Sequence, residues 1–134
     1  MSQKIVLMSS PEYFKVEYSI NPWMVPGTNV DLELARDQWN GLKRTIEEAG
    51  AEVKVVPPSE NHPDLVFTAN SGIIRGNDVL IANFKFEERR GEEEIYIKWF
   101  KENEYNVSRI PPDYKFEGRG DAFVYGDYLV GSYG

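Results

Sequence analysis

The chain contains no cysteine and a single histidine, His62. The absence of cysteine excludes a disulfide framework, a thiolate metal site and a thiol nucleophile within these 134 residues. No glycine loop of the kind that cradles a phosphate opens a helix, and no cluster of histidine and cysteine could hold a metal ion. We therefore expect neither a metal nor an organic cofactor.

Long apolar segments and an excess of positive charge are missing as well. The apolar run near the amino terminus, Ile5–Met8, is too short for a secretory or membrane segment, so we expect a cytoplasmic protein with no membrane partner. Fifteen basic residues against 22 acidic ones give a net charge of −7, which disfavours nucleic acid as a partner. A hydrophobic content of 41% is ordinary for a globular chain, and we expect residues 1–134 to form a single domain.

What the sequence does contain is an internal repeat. Two apolar strand pairs, Ile73–Ala82 and Phe123–Gly131, can be superimposed so that their turn glycines, Gly76 and Gly126, lie 50 positions apart. A helical stretch and a strand follow the first pair, whereas the chain ends soon after the second. Repeats of this length bury their apolar faces against neighbouring repeats. We therefore expect an α/β fold with a mixed sheet that stops partway through a repeat and leaves an unfilled edge.

The elements of the repeat are predicted from apolar periodicity and from terminating residues. Apolar residues at spacings of three and four predict a helix capped by Asn29 and stopped by Gly50. A second helix is predicted over Gly91–Asn103, with Glu92, Glu93 and Glu94 in its first turn. The predicted strands outside the two hairpins are Lys4–Met8, Ala51–Val56, Asp64–Thr68 and Tyr105–Ile110.

Three segments carry side chains with possible chemistry, and each also has a purely structural interpretation. Asn70 follows an apolar strand, where open α/β sheets place ligands, but a turn residue before Ser71-Gly72 is the more common role for an asparagine in such a position. Glu117 and Asp121 flank two glycines that let the backbone approach a ligand, although a solvated turn explains them too. The charged run Phe86–Glu92 contains a paired arginine that could clamp a carboxylate, whereas most such runs are solvated surface.

The order and spacing of four motifs are more specific than any one of them. They are Asn21-Pro22-Trp23-Met24, Phe67-Thr68-Ala69-Asn70, Arg89-Arg90-Gly91-Glu92 and Phe116-Glu117-Gly118-Arg119-Gly120-Asp121. Together they resemble the guanidino-modifying enzymes of the pentein superfamily: amidinotransferases, arginine deiminases, dimethylargininases and arginine dihydrolases. The resemblance covers essentially the whole chain. It implies a partial α/β propeller of ββαβ modules, of which this chain holds about two and the opening hairpin of a third.

The resemblance also implies roles for individual residues. Glu117 matches the family's catalytic glutamate, which binds the N–H groups of the guanidinium. Asn70 stands where deiminases and dimethylargininases carry an aspartate, and its amide oxygen accepts a hydrogen bond without adding negative charge. Arg89 matches an arginine that binds the substrate carboxylate. Further substrate contacts are expected at Asp64, Asn21, Phe67 and Asp121.

The nucleophile and the proton-transfer group of the family are not found here. In the family a cysteine attacks the guanidino carbon and a histidine moves the protons, but this chain has no cysteine, and we expect His62 to be an exposed loop residue. One hypothesis is that the chain is the amino-terminal half of an amidinohydrolase or amidinotransferase, completed by a carboxy-terminal partner chain. The alternative is a non-catalytic binding or assembly module. In either case the expected binding partners are an arginine-like small molecule and either a second copy of this chain or a separate partner chain.

Overall fold

The computed structural model describes residues 4–132, which fall into two compact units. The first unit ends at Thr68 and the second begins at Ala69. The single domain expected for residues 1–134 therefore remains a prediction. Neither helix within residues 4–132 combines the length and the apolar content that crossing a membrane requires.

The first unit is built on a parallel strand pair joined by a long helix. Strand β1 (Ile5–Ser9) pairs in parallel with β2 (Glu52–Val56), and helix α1 (Leu32–Glu48) connects them. The helix begins two residues later than the Asn29 cap predicts, because Asp31 is the residue whose carboxylate accepts from the Leu34 N–H at 2.9 Å. The predicted stop at Gly50 is confirmed by its φ of 87°, a left-handed conformation that glycine adopts without strain.

The strand predicted over Asp64–Thr68 is wrong. Two short 3-10 helices occupy this region, Pro63–Val66 and Thr68–Ser71. Pro63 starts the first of them, and the next turn closes through the Phe67 N–H, which donates to the Asp64 carbonyl at 3.0 Å. A short apolar run cannot by itself distinguish a strand from a helical turn.

The second unit contains one complete ββαβ module. Strands β3 (Gly72–Arg75) and β4 (Asp78–Ile81) form an antiparallel hairpin, helix α2 (Glu87–Glu102) follows, and strand β5 (Asn106–Arg109) returns in parallel beside β4. A mixed sheet is therefore confirmed. The buried apolar side chains of this unit are Val79, Ile81, Ala82, Phe84, Tyr96, Ile97 and Phe100.

Helix α2 starts four residues earlier than predicted, and this changes the environment of the charged run. Phe86 is the extended N-cap residue, and the acids of the first turn, next to the positive end of the helix dipole, are Glu87 and Glu88. Arg89 and Arg90 consequently lie inside the helix and not in a loop before it.

The last hairpin confirms the predicted repeat. Strands β6 (Ala122–Tyr125) and β7 (Tyr128–Gly131) pair with the same register as β3 and β4, displaced by 50 positions. Gly76 and Gly126 have φ values of 59° and 58°, as the first central position of a type II′ turn requires. The described residues thus contain one complete module, three of the four elements of an earlier one and the opening hairpin of a later one.

The two hairpins differ in how their apolar residues are covered. Val79 of β4 is 1% exposed, whereas Leu129, its counterpart in β7, is 65% exposed. Strand β4 contacts helix α2 and pairs with β5, while β7 has no such helix or strand beside it among residues 4–132. The exposed aromatic and aliphatic residues of the last hairpin are Phe123, Tyr125, Tyr128, Leu129 and Val130.

Candidate functional site

Asn70 makes hydrogen bonds through both ends of its side-chain amide. It lies in the 3-10 helix just before β3 and is half-buried. Its Oδ1 accepts from Arg89 Nη1–H at 3.1 Å, and its Nδ2–H donates to the Glu117 carbonyl at 3.1 Å. Because one end accepts and the other donates, these two partners fix the orientation of the amide. Asn70 therefore connects Arg89 and Glu117, two other residues that the motifs single out in this unit.

Glu117 is held through its backbone and its carboxylate. Its carbonyl binds Asn70, its backbone N–H donates to Asp121 Oδ2 at 2.6 Å, and its Oε1 accepts from the Lys85 backbone N–H at 3.3 Å. Glu117 lies just before the 3-10 helix Gly118–Gly120 and not on a strand. The second carboxylate oxygen, Oε2, has no hydrogen-bond partner among residues 4–132. One acceptor of a positioned carboxylate is thus left for a ligand.

Gly118 allows the Glu117 loop to pack directly on the Asn70 turn. Its φ is 61°, and a Cβ at this position would lie 2.7 Å from the Ala69 carbonyl oxygen and 2.8 Å from the Gly72 nitrogen. Those neighbours are backbone atoms that cannot turn aside, so any larger residue would push the two segments apart. The glycine predicted to permit a close approach does so against the protein's own backbone.

Arg89 is buried, contrary to the solvated surface that is usual for a charged run. Its side chain is 6% exposed and forms two parallel hydrogen bonds with Glu92, from Nε to Oε1 and from Nη2 to Oε2, each 2.8 Å long. The guanidinium also stacks 4.5 Å from the centre of the Phe84 ring. Arg89 thus has internal partners on its edges and on one face. Its predicted contact with a substrate carboxylate remains a prediction.

Glu92 and Tyr96 are buried residues on the same helix as Arg89. Both side chains are fully buried, and Glu92 lies three residues after Arg89 on the same face of α2. Burial, and then the negative charge of Glu92, raise the pKa of Tyr96 well above its usual value. The tyrosine therefore stays neutral, and the charge that balances Arg89 is supplied by Glu92.

The beginning of α2 also fixes the segment that binds the Glu117 carboxylate. Arg90 donates from Nε to the Phe84 carbonyl at 3.3 Å and from Nη2 to the Lys85 carbonyl at 3.1 Å. Glu93 Oε1 accepts from the Phe84 N–H at 2.9 Å. These bonds hold residues 84 and 85 at the start of the helix. The Lys85 N–H is thereby directed at Glu117.

The other predicted substrate contacts lie in the first unit. Asp64 is 3% exposed and accepts from the Tyr18 hydroxyl at 2.9 Å. Phe67 is half exposed and meets Phe14 edge to face, with ring centres 5.6 Å apart. Asn21 caps its own turn, because its Oδ1 accepts from two backbone N–H groups, 3.0 Å and 3.2 Å away. Their contacts with a substrate remain predictions, as does that of Asp121, which here stabilises the Glu117 turn.

His62 is not a fully exposed loop residue. It is half-buried and pairs through Nδ1 with the Ser59 hydroxyl at 2.9 Å. Burial lowers its pKa from the ordinary value, which favours the neutral imidazole. The pairing of His62 with Ser59, three residues earlier, therefore belongs to a local turn and not to a catalytic pair.

The cluster in the second unit has the hydrogen-bond acceptors that a flat cation needs. A guanidinium presents N–H donors along its edges, and the acceptors here are a carboxylate, Glu117, and an amide oxygen, Asn70. Arg89, whose own charge would repel such a ligand, is paired with Glu92. The arrangement can orient a guanidinium, but it holds no thiol.

Comparison with known families and proteins points in the same direction. Residues 20–130 match the family model described as "N,N dimethylarginine dimethylhydrolase, eukaryotic". The chain is 42% identical over 132 residues to the bifunctional arginine dihydrolase/ornithine cyclodeaminase ArgZ of Synechocystis, covering 96% of this chain and 19% of that protein. It is 35% identical to the N(G),N(G)-dimethylarginine dimethylaminohydrolase of Mycobacterium tuberculosis, covering 95% of this chain and 41% of that enzyme. The chain thus spans less than half the length of these relatives.

Solved structures of related proteins have the same fold. The substrate-bound N-terminal domain of cyanobacterial ArgZ, a cysteine-to-serine mutant, superimposes with a TM-score of 0.89 at 41% identity, covering 97% of this chain and 49% of that one. A dimethylarginine dimethylaminohydrolase from Pseudomonas aeruginosa with citrulline gives a TM-score of 0.80 at 24% identity, covering 96% and 49%. The expected pentein fold is therefore confirmed.

Two contributors to the site were not identified as site residues from the sequence. Glu92 was placed in a charged first turn, because the helix was expected to begin only at Gly91. With the helix beginning at Glu87, the spacing of Arg89 and Glu92 would have predicted an ion pair on one helical face. The Lys85 backbone N–H carries no sequence signal, since every residue except proline has one.

Proposed function

The chain belongs to the N,N-dimethylarginine dimethylhydrolase family within the pentein superfamily, and we propose that it supplies the guanidinium-binding half of an amidinohydrolase acting on arginine or a related compound. Glu117 and Asn70 are the proposed catalytic pair. The Glu117 carboxylate accepts hydrogen bonds from the guanidinium and stabilises the charge of the guanidinium while the guanidino carbon is attacked. Asn70 orients the guanidinium. Arg89, Asp64, Asn21, Phe67 and Asp121 remain proposed substrate contacts.

One observation carries this proposal. The Asn70 amide donates to the backbone of Glu117 at 3.1 Å, so the two acceptors are held in one cluster although they lie 47 positions apart in the chain. Positioned acceptors lose little entropy when the ligand binds, which is how such sites gain both affinity and rate. Hydrolysis is favoured over transfer to an amine because ArgZ is an arginine dihydrolase and the relative from Mycobacterium tuberculosis is a dimethylaminohydrolase.

The nucleophile and the proton-transfer histidine have to come from elsewhere in the active assembly. These 134 residues contain no cysteine, and the one histidine pairs with Ser59. The exposed apolar hairpin β6–β7 supports a partner that supplies a helix and a strand equivalent to α2 and β5. We therefore propose a carboxy-terminal partner segment that covers this hairpin and carries both catalytic groups.

A chimaeric enzyme tests the function. The chain is joined to the carboxy-terminal half of the N-terminal domain of Synechocystis ArgZ, and release of ammonia, citrulline and ornithine from arginine is measured. We expect turnover from the chimaera and none above background from the chain alone, because loss of a nucleophile removes several orders of magnitude in rate. A folded chimaera that binds arginine but releases no product would contradict the proposal.

The exposed hairpin also supports a second candidate, a non-catalytic module that binds a partner through this surface. Leu129 is 65% exposed and Tyr128 is 74% exposed, which is unusual for a sheet whose apolar side chains are packed into a core. This candidate predicts that the chain associates with its partner equally strongly with and without arginine. The first candidate predicts a complex whose stability rises when arginine is added, by mass action.

A further inference from the structure

Glu92 is a buried carboxylate that none of the proposed catalytic steps uses. Its side chain is 0% exposed, and it is joined to Arg89 by two parallel hydrogen bonds of 2.8 Å. A two-point contact between a planar guanidinium and a carboxylate fixes both the position and the rotation of the arginine. The ring of Phe84, 4.5 Å away, covers one face of the same group. Arg89 is therefore held in one orientation.

The orientation of Arg89 determines that of Asn70. The remaining terminal nitrogen, Nη1, donates to Asn70 Oδ1 at 3.1 Å. With Oδ1 directed at the arginine, Nδ2 is the end that faces the Glu117 carbonyl, also at 3.1 Å. A chain of hydrogen bonds thus runs from Glu92 through Arg89 and Asn70 to the backbone of Glu117.

We propose that Glu92 is a positioning residue of the guanidino site, acting through Arg89 to fix the Asn70 amide and the backbone at Glu117. The proposal rests on the proposed function, in which Asn70 and Glu117 receive the guanidinium. A carboxylate suits this position because both of its oxygens accept. A glutamine would present an NH₂ donor to an arginine that has only donors, and one of the two parallel bonds would be replaced by a repulsive contact.

If Glu92 only stabilised the fold, its variants would behave differently from those of a positioning residue. A buried ion pair can often be replaced by apolar residues of similar volume without loss of stability. The double variant Arg89→Met/Glu92→Leu therefore keeps the packing while removing the hydrogen bonds that orient Asn70. The single variant Glu92→Gln keeps the size of the side chain and removes its charge. Glu94→Gln is the matched control, because Glu94 is exposed and pairs with Arg109 on the surface.

The experiment measures the Asn70 side-chain amide by NMR and the binding of methylguanidine, followed at the Lys85 backbone amide. Methylguanidine has no carboxylate, so a direct contact of Arg89 with a substrate carboxylate does not enter. In both Glu92 variants, circular dichroism should stay that of the folded chain while the Asn70 amide protons move towards exposed values. The affinity for methylguanidine should fall by about tenfold, the usual effect of losing an orienting hydrogen bond. Glu94→Gln should change neither.

Two results would overturn the proposal. One is a folded double variant that keeps the Asn70 resonances and binds methylguanidine within about twofold of the parent chain. The other needs no variant: Asn70 amide protons in the parent chain that exchange with water as fast as those of an exposed asparagine. A parent chain that protects Asn70 but does not bind methylguanidine would instead refute the proposed function and leave the positioning intact.

Discussion

Glu117→Gln in the active chimaera is expected to lower kcat for arginine by about 10²- to 10³-fold, the usual effect of removing one group that stabilises charge in the transition state. Glutamine is nearly the same size, and its amide oxygen can still accept from the Lys85 N–H that now donates to Oε1 at 3.3 Å. The backbone bonds to Asn70 and Asp121 do not involve the side chain of Glu117 and should persist. The variant therefore removes the charge that meets the guanidinium and leaves the loop in place.

Steady-state kinetics at saturating arginine, together with a binding measurement, separate the effect on kcat from the effect on affinity. Glu94→Gln removes an acid of the same type from the surface of helix α2 and should leave kcat unchanged. If the Glu117→Gln chimaera kept more than about half of the parent kcat, the Glu117 carboxylate would not be the group that stabilises the guanidinium during the reaction.

Arg89→Met is expected to destabilise the folded chain by about 3–5 kcal/mol, because it removes the cation that is paired with a buried carboxylate, Glu92. The Glu92 side chain is 0% exposed, so water does not readily replace the two hydrogen bonds that Arg89 donates to it. Methionine keeps most of the apolar contact with Phe84, so the loss reflects the broken ion pair and not a large cavity. Urea denaturation measures the effect as a lower midpoint with an unchanged slope.

Arg75→Met provides the matched control for this substitution. Arg75 pairs with Asp127 at 3.5 Å, but both side chains are largely exposed, and such surface pairs add little stability. The double variant Arg89→Met/Glu92→Leu should recover most of the stability that Arg89→Met loses. If the Arg89→Met chain were no less stable than the Arg75→Met chain, the buried ion pair between Arg89 and Glu92 would not stabilise the fold as expected.

The repeat and the elements of strong periodicity could be predicted from the sequence. The two hairpins match because a positive φ at Gly76 and Gly126 fixes the same turn and the same register 50 positions apart. Helix α1 follows from its apolar spacing, and only its cap was misplaced, since Asn29 and Asp31 are both good capping residues. Local signals decide these features, so the sequence alone contains them.

The misplaced elements depend on contacts that are distant in the sequence. The run Asp64–Thr68 forms 3-10 turns in which Asp64 binds Tyr18, a partner 46 positions away that no local pattern reveals. The charged run at the start of α2 looks like solvated surface, yet Arg89 and Glu92 neutralise each other inside the unit. Burial of a charge depends on its partner, and periodicity does not identify the partner.

The site itself was only partly predictable. Motif resemblance selected Asn70, Arg89 and Glu117, and the structure joins these three through hydrogen bonds. The two interpretations of Asn70, turn residue and ligand contact, are compatible: it lies in a short helical turn and still presents its amide to the cluster. The supporting groups, Glu92 and the Lys85 N–H, became visible only with the packing.

The central claim is that Glu117 and Asn70 together bind a planar guanidinium. An NMR titration of the chain with agmatine, compared with cadaverine, tests it most directly, because the two amines have similar length and charge but only agmatine carries a guanidinium. We expect saturable shifts of the Asn70 side-chain amide and the Lys85 backbone amide with agmatine and not with cadaverine. Equal shifts with both compounds, or agmatine shifts that spare these two groups, would contradict it.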